Sequence, residues 1–390
     1  MKNDHLIITH GGKLQNLMID DPKGKESLIN DSKKLPKIKL STLEFSDLIM
    51  LGIGAFSPLQ GFMGQSDYRS VLEDMRLESG ILWPLPVTIT VDNIDNYSIG
   101  DSAALISPYS DEIVGQIDIE DIYTYDKKTE ALSSFGTEDP AHPAVAKLNK
   151  IGNYHIGGKV KVFTEGGYPD RFSQYARPSQ TRKIFAGKGW KSVVAFQTRN
   201  PIHRSHEYLT KVALEIFDGL FIHPIVGRLK EGDIPAEVRM ACYKTLIDNY
   251  YPKDRVALYV YPMEMRYAGP KEAILHAIIR QNYGATHIII GRDHAGVGNF
   301  YGPFDAQDIF DTIPKGDLAI KPVKMDWTFY CKKCSSMASA KTCPHGDSDH
   351  IMISGTRLRQ MLSEGKYPPQ EITRREVSDI LIDYYRERKK

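Results

Sequence analysis

The chain has 390 residues, 41% of them hydrophobic, and its 50 basic and 49 acidic side chains leave a formal charge of +1. Such a length exceeds one compact core, so two or three domains are expected. The near-zero charge supplies no bulk attraction to nucleic acid or to a membrane surface, and neither is expected as a partner.

The start, Met1-Lys2-Asn3-Asp4-His5, lacks the charged-then-apolar pattern of a secretory leader, and no apolar run is long enough to span a bilayer. A cytoplasmic protein is expected. Residues 1–168 carry short strand-like runs, such as 85–91 and 159–163, punctuated by Gly, Pro, Asp and Asn. They read as a β-rich domain with some helix. Residues 169–320 alternate instead. A helix over 179–187 leads to a strand at 192–196 and a helix from Pro201; strand 220–226 precedes helix 235–250, and strand 256–261 precedes helix 270–283. A fourth strand, 286–290, ends at Gly291. Strands alternating with helices predict a parallel, Rossmann-type sheet and an α/β fold. Residues 321–390 form a third, small block with a cysteine cluster and a charged helical tail.

The densest chemistry lies at residues 197–207, Gln-Thr-Arg-Asn-Pro-Ile-His-Arg-Ser-His-Glu. Asn200 suits a helix N-cap and Pro201 the first helical position, which puts His203 and His206 three apart near the helix start. Helix N-termini attract anions through free N–H groups and a partial positive charge. Two imidazoles and Arg199 at such an end point to polyanionic chemistry. In doubly wound sheets ligands bind beyond the carboxyl ends of the strands. Gly227-Arg228, residues 263–267 and residues 291–298 follow the other strands, so four loops are expected to converge on one edge.

Of the four cysteines, Cys242 sits alone in an apolar helical pattern and reads as a core residue. Cys331-x2-Cys334-x8-Cys343, with His345 and His350 nearby, offers the donor set of a structural zinc site. His350, which leaves the loop room to close, is the expected fourth ligand. His345, two residues past Cys343, is the alternative.

Residues 197–207 resemble the signature of the ATP sulfurylase (sulfate adenylyltransferase) family, and residues 291–296 resemble its second signature. The likeness extends to residues 56–63, 83–86, 178–185, Gly189-Trp190 and 353–356, so it spans most of the chain. It implies a PUA-like N-terminal domain, a Rossmann-like nucleotidyltransferase domain, a small C-terminal domain and a homodimer or larger assembly. No Gly-x4-Gly-Lys-Ser/Thr segment occurs, so an attached adenylylsulfate kinase domain is not expected.

The implied reaction joins sulfate to the adenylyl group of ATP, releasing pyrophosphate, with magnesium accompanying the ATP. The resemblance implies that Gln197, Arg199 and the Ala295 N–H bind sulfate, and that Arg199, Asn200, His203 and His206 are catalytic. It puts Gln197, Thr198, Asn200, His203, His206, Gly291, Arg292, Asp293, His294 and Met325 against ATP. Residues 353–359, Ile-Ser-Gly-Thr-Arg-Leu-Arg, resemble a triphosphate-binding motif of the wider nucleotidyltransferases, or else a Ser-capped helix with solvated arginines. Two other functions compete: transfer to an alcohol phosphate such as phosphopantetheine, and RNA binding by the PUA-like block. The first leaves Gln197 and Arg199 without a role, and the second lacks a basic stripe.

Overall fold

The computed structural model describes residues 7–228 and 233–388. In the N-terminal domain, α1 (Pro22–Ser32) begins at a proline behind the N-cap Asp21, which accepts the Gly24 N–H. After β1 (Lys37–Lys39) comes α2 (Thr42–Gly52), where Ser41 and Glu44 each accept the other's backbone N–H and so fix the helix start. Then follow β2 (Gly61–Phe62), α3 (Gln65–Asp74), β3 (Ile89–Val91), β4 (Ser102–Ile106), β5 (Ile113–Thr124), α4 (Lys127–Phe135), α5 (Pro143–Leu148), β6 (Tyr154–Val162) and α6 (Tyr168–Arg171). The strands make one mixed sheet in the order β1-β4-β5-β6-β2, with β3 also on β6. The expected strand over 85–91 shrinks to its last three residues, because Pro84 and Pro86 bring no N–H to a ladder.

The middle domain runs α7 (Pro178–Gly187), β7 (Val193–Phe196), α8 (Arg204–Ile216), β8 (Gly219–Ile222), α9 (Ala236–Tyr250), β9 (Val256–Leu258), α10 (Gly269–Asn282), β10 (His287–Ile290), α11 (Asp305–Asp308) and β11 (Lys321–Lys324). Its five strands are parallel, in the order β11-β10-β7-β8-β9. The chain therefore starts in the middle, winds outward through β8 and β9, and returns to the other side for β10 and β11. Strand order reverses between β7 and β10, and a crevice opens at their carboxyl ends. Alternation along β7 serves both faces. Val193 and Ala195 join the apolar cluster of α10 and the N-terminal domain, while Val194 and Phe196 join that of α9.

The boundary expected after residue 320 cuts this sheet. β11 pairs in register with β10, Lys321 opposite His287 through Lys324 opposite Ile290. Its Lys-Pro-Val-Lys sequence lacks strand character because it lies on the sheet's edge, where proline and lysine are tolerated. Beyond it, β12 (Thr328–Cys331), β13 (Ser336–Ser339) and β14 (His350–Ile351) form a small antiparallel sheet, followed by α12 (Gly355–Ser363) and α13 (Arg375–Glu387). Val377, Leu381 and Ile382 of α13 share a core with Met240, Tyr243 and Leu246 of α9, so the tail is packed onto the middle domain. Among the described residues no helix is long and apolar enough to cross a membrane.

Polar contacts lock the N-terminal domain to the crevice side. Arg266 Nη2 meets Asp47 Oδ2 at 2.6 Å with both side chains buried. The Asn282 amide, at the end of α10, donates to the carbonyls of Ala55 and Ser57, both at 3.0 Å. Removing one member of a buried ion pair strands the other charge, at a cost of about 3–5 kcal/mol. Asp47→Ala is therefore expected to lower the urea midpoint markedly, and an unchanged midpoint would contradict this account of the interface.

Candidate active site

The loop after β7 does not turn helical where the sequence suggests. Thr198 Oγ1 accepts the Asn200 N–H and donates to the Asn200 carbonyl, both at 3.0 Å. Tyr243 donates its hydroxyl to the same carbonyl at 2.6 Å, and Ile202 is buried in the α9-side core. With its carbonyl already engaged, Asn200 cannot open a helix. α8 starts at Arg204 with His203 as N-cap. His206 becomes the third residue of α8, and its Nδ1 accepts the His203 N–H at 3.4 Å. The proposed N-cap role of Asn200 is thus corrected, yet both imidazoles still stand at the helix's positive end.

The opposite wall is the loop after β10. Asp293 and Ala295 both take left-handed conformations, φ 54° and 56°, and the Gly296 N–H returns to the Asp293 carbonyl at 3.2 Å. Arg292 lies over the Trp327 ring at 4.7 Å. Between the walls is a cavity of about 300 Å³ lined by Gln197, Thr198, Arg199, Asn200, His206 and residues 291–296. Arg199 Nη1 and Gln197 Oε1 are buried there with no hydrogen-bond partner among the described residues. The Arg199 guanidinium rests over Tyr267 at 5.1 Å.

Two of the expected residues lie outside that cavity. His203 lines a neighbouring one of about 280 Å³, with Asn200, His206, Trp327 and Arg359. Met325 lines neither; its N–H donates to Ile290 and its carbonyl accepts from Gln307, which extends the sheet edge. Ser354 does cap α12, accepting the Arg357 N–H at 3.2 Å, while Arg359 of that helix borders the His203 cavity. The sequence reading missed Trp327, which the structure leaves half exposed; its being one of only three tryptophans was the available signal. It also missed the C-terminal segment that clamps α8. Ile372 accepts the Arg204 N–H at 3.0 Å, Thr373 Oγ1 meets His203 Nδ1 at 3.0 Å, and Arg374 forks onto the buried Glu207 at 2.8 and 3.0 Å. No spacing in the sequence links residues so far apart.

The cysteine cluster forms, with a corrected fourth member. His345 Nδ1 lies 3.4, 3.3 and 3.7 Å from the sulfurs of Cys331, Cys334 and Cys343. The four donor atoms fall within 4.8 Å of one another. His350, expected in that place, reaches only Cys343 at 3.7 Å, because its ring stacks on Phe329 at 3.6 Å.

A parallel sheet whose strand order reverses at a glycine-rich loop, with arginine and histidine at a helix start, defines a Rossmann-like protein built to hold nucleotide phosphates. Residues 173–384 match the ATP-sulfurylase family and residues 7–165 match the PUA-like domain. A sulfate adenylyltransferase of Desulforamulus reducens is 51% identical over 383 residues, covering 97% of this chain and 98% of that protein. One from Chlorobaculum tepidum is 51% identical over 357 residues, covering 91% and 88%. A solved structure described as a hexameric APS kinase from Thiobacillus denitrificans shares the fold, with a TM-score of 0.74 at 23% identity over 96% of this chain and 68% of that one. The chain belongs to the ATP-sulfurylase family.

Burial, helped by neighbouring His206, pulls His203 from the ordinary 6.5 to about 3, and burial pulls His206 to about 4. Both are neutral at pH 7. As pH falls below about 6.5, the unfolded chain binds protons that the folded protein refuses, so the stability these groups contribute drains away toward pH 4. Melting temperature is expected to hold above pH 7 and to fall between pH 6.5 and 4, less steeply in His203→Gln. An equal fall in the variant would contradict the assignment.

Proposed function

We propose that this sulfate adenylyltransferase works by direct displacement: a sulfate oxygen attacks the α-phosphorus of ATP in line, the bond to the bridging oxygen breaks, and pyrophosphate leaves as adenosine 5′-phosphosulfate forms. The observation that carries this reading is Arg199 Nη1, buried in a cavity at a helix N-terminus beside Gln197 and without a hydrogen-bond partner among the described residues. Such a group supports binding of an oxyanion. Sulfate is a dianion at neutral pH and needs no general base, so the chain has to position two polyanions and stabilise the charge moving onto the leaving group.

In this reading Arg199, Gln197 and the Ala295 N–H hold sulfate, the Gln197 amide turning its donor to the anion; amide orientation is a half-turn choice set by the partner. His206 accepts at Nδ1 from the His203 N–H, which leaves Nε2–H as its donor. Thr373 can donate to His203 Nδ1, leaving the same donor there. The two neutral imidazoles thus offer N–H groups to the β and γ phosphates, and arriving negative charge raises their pKa toward imidazolium. Asn200 joins them on the phosphates. Thr198 acts through the loop it ties, and Gly291, Arg292, Asp293 and His294 form the nucleotide wall. Magnesium arrives with ATP, held chiefly by phosphate oxygens and water.

Three thiols and one imidazole within 4.8 Å fit a tetrahedral zinc ion with no open position. Cys331, Cys334, Cys343 and His345 would hold it, and the ion would brace the small sheet beside Trp327. Metal analysis is expected to find about one zinc per chain, which Cys334→Ser loses along with thermal stability. Zinc retained by that variant, or absent from the wild type, would refute the site.

Pyrophosphate release from magnesium-ATP, with pyrophosphatase present, tests the reaction. Release is expected to require sulfate or selenate, and Arg199→Ala and His203→Ala are each expected to lower kcat/KM roughly 10²–10³-fold. No sulfate-dependent release from protein that binds ATP would assign the wrong acceptor. Hydrogen phosphate carries a proton that a donor-lined pocket disfavours, so phosphate competing as well as selenate would sink the account of the pocket.

A further inference from the structure

Behind the nucleotide wall lie two buried titratable groups that the reaction as described does not use, and they lead to the wall's own His294. Glu272, in the first turn of α10, and His276, one turn later, are fully buried. The Glu272 carboxylate accepts backbone N–H groups at both oxygens, from Arg266 at 2.9 Å and Ala268 at 3.0 Å. Its Oε1 is also 3.4 Å from His276 Nε2, within ion-pair range though off-line for a hydrogen bond. His276 Nδ1 lies 3.0 Å from Nε2 of His294, the histidine of the nucleotide loop.

These contacts leave one consistent proton arrangement. Burial pushes the Glu272 carboxyl up, but the Arg266 and Ala268 N–H groups and the Arg266 charge favour its ionised form. That carboxylate presents negative charge to His276 Nε2, so that nitrogen carries the proton. His276 Nδ1 is then a lone pair and can only accept, which requires His294 to donate from its Nε2. A neutral imidazole has one N–H, so His294 Nδ1 is left as an acceptor. The reversed arrangement would point a lone pair at the carboxylate. A doubly protonated His294 is opposed as well: it is held down to about 3 by burial, then by His276 and Arg280, against the pull of Glu272.

We propose that Glu272 and His276 are positioning residues that lock His294 as the Nε2–H tautomer, so that the nucleotide loop presents it as a neutral hydrogen-bond acceptor rather than a phosphate-binding cation. The inference rests on the nucleotidyltransferase reading for its kinetic consequence, but its structural content is independent of activity. The relay ties the wall's orientation to the same Arg266 segment that Asp47 anchors from the N-terminal domain.

Nitrogen NMR of ¹⁵N-histidine-labelled wild-type protein, with the His294 signals identified by their loss in His294→Gln, reads the tautomer without any turnover. The expected result is a protonated Nε2 and a bare Nδ1 at pH 7; a protonated Nδ1, or an imidazolium, overturns the proposal. In kinetics, His276→Met removes the hydrogen bond to His294 and the charge contact with Glu272 at similar volume and is expected to raise the KM for magnesium-ATP roughly tenfold, the loss of about one buried hydrogen bond. The sulfate KM should stay within about twofold, and His276→Gln, which can accept from one side and donate to the other, should recover most of the effect. An unchanged ATP KM in folded His276→Met, or equal impairment in His276→Gln, overturns it. Absence of sulfate-dependent turnover in the wild type would instead strike the assigned reaction, and the tautomer measurement would still decide the relay.

Discussion

The reversal of strand order between β7 and β10 is the constraint on which the rest of the site depends. Crossovers between parallel strands are right-handed, so a chain that winds one way from β7 and then returns must leave its first and fourth loops facing each other with no helix between them. One of those loops leads into α8 with its histidines, and the other carries residues 291–296. Neither loop has a site by itself. The pocket is the gap between them, and it stays polar because loop backbone and a helix end, rather than packed side chains, form its walls.

Neutral imidazoles and arginines line that gap. The imidazoles of His203, His206 and His294 are all held well below their ordinary titration range by burial. Fixed positive charge comes instead from Arg199 and Arg292, each resting over an aromatic ring, Tyr267 and Trp327. Neutral imidazoles at a helix end and two guanidinium groups resting on rings make an environment whose polar groups are already oriented.

The domains around the crevice act as its frame. Asp47 on Arg266 and Asn282 on residues 55–57 join the N-terminal domain to the wall that carries the nucleotide loop. Residues 372–374 grip the start of α8 from the other side, through a backbone hydrogen bond, the His203 ring and the forked Arg374–Glu207 pair. The Asp47–Arg266 pair ends beside Met265, and the Arg374–Glu207 pair ends beside His206, both of which line a cavity.

Much of this was legible in the order of residues, because it is local. Alternating apolar strands and helices announced the parallel sheet, the residues at 197–207 and 291–296 marked the two loops that meet at the cavity, and the cysteine spacing announced the cluster. The family resemblance, carried by long motifs, is likewise a property of the linear chain. Tertiary structure decided what depends on partners far away in sequence. Asn200 lost the helix start because Tyr243 takes its carbonyl, and β11 became a strand because β10 lies beside it despite its Lys-Pro-Val-Lys sequence. His345 displaced His350 because Phe329 holds the latter's ring, and the Glu272–His276–His294 relay exists only where α10 passes behind the loop. Local pattern determines which element a segment forms and which chemistry it carries; which hydrogen bonds and ring contacts compete for each group is settled only by packing.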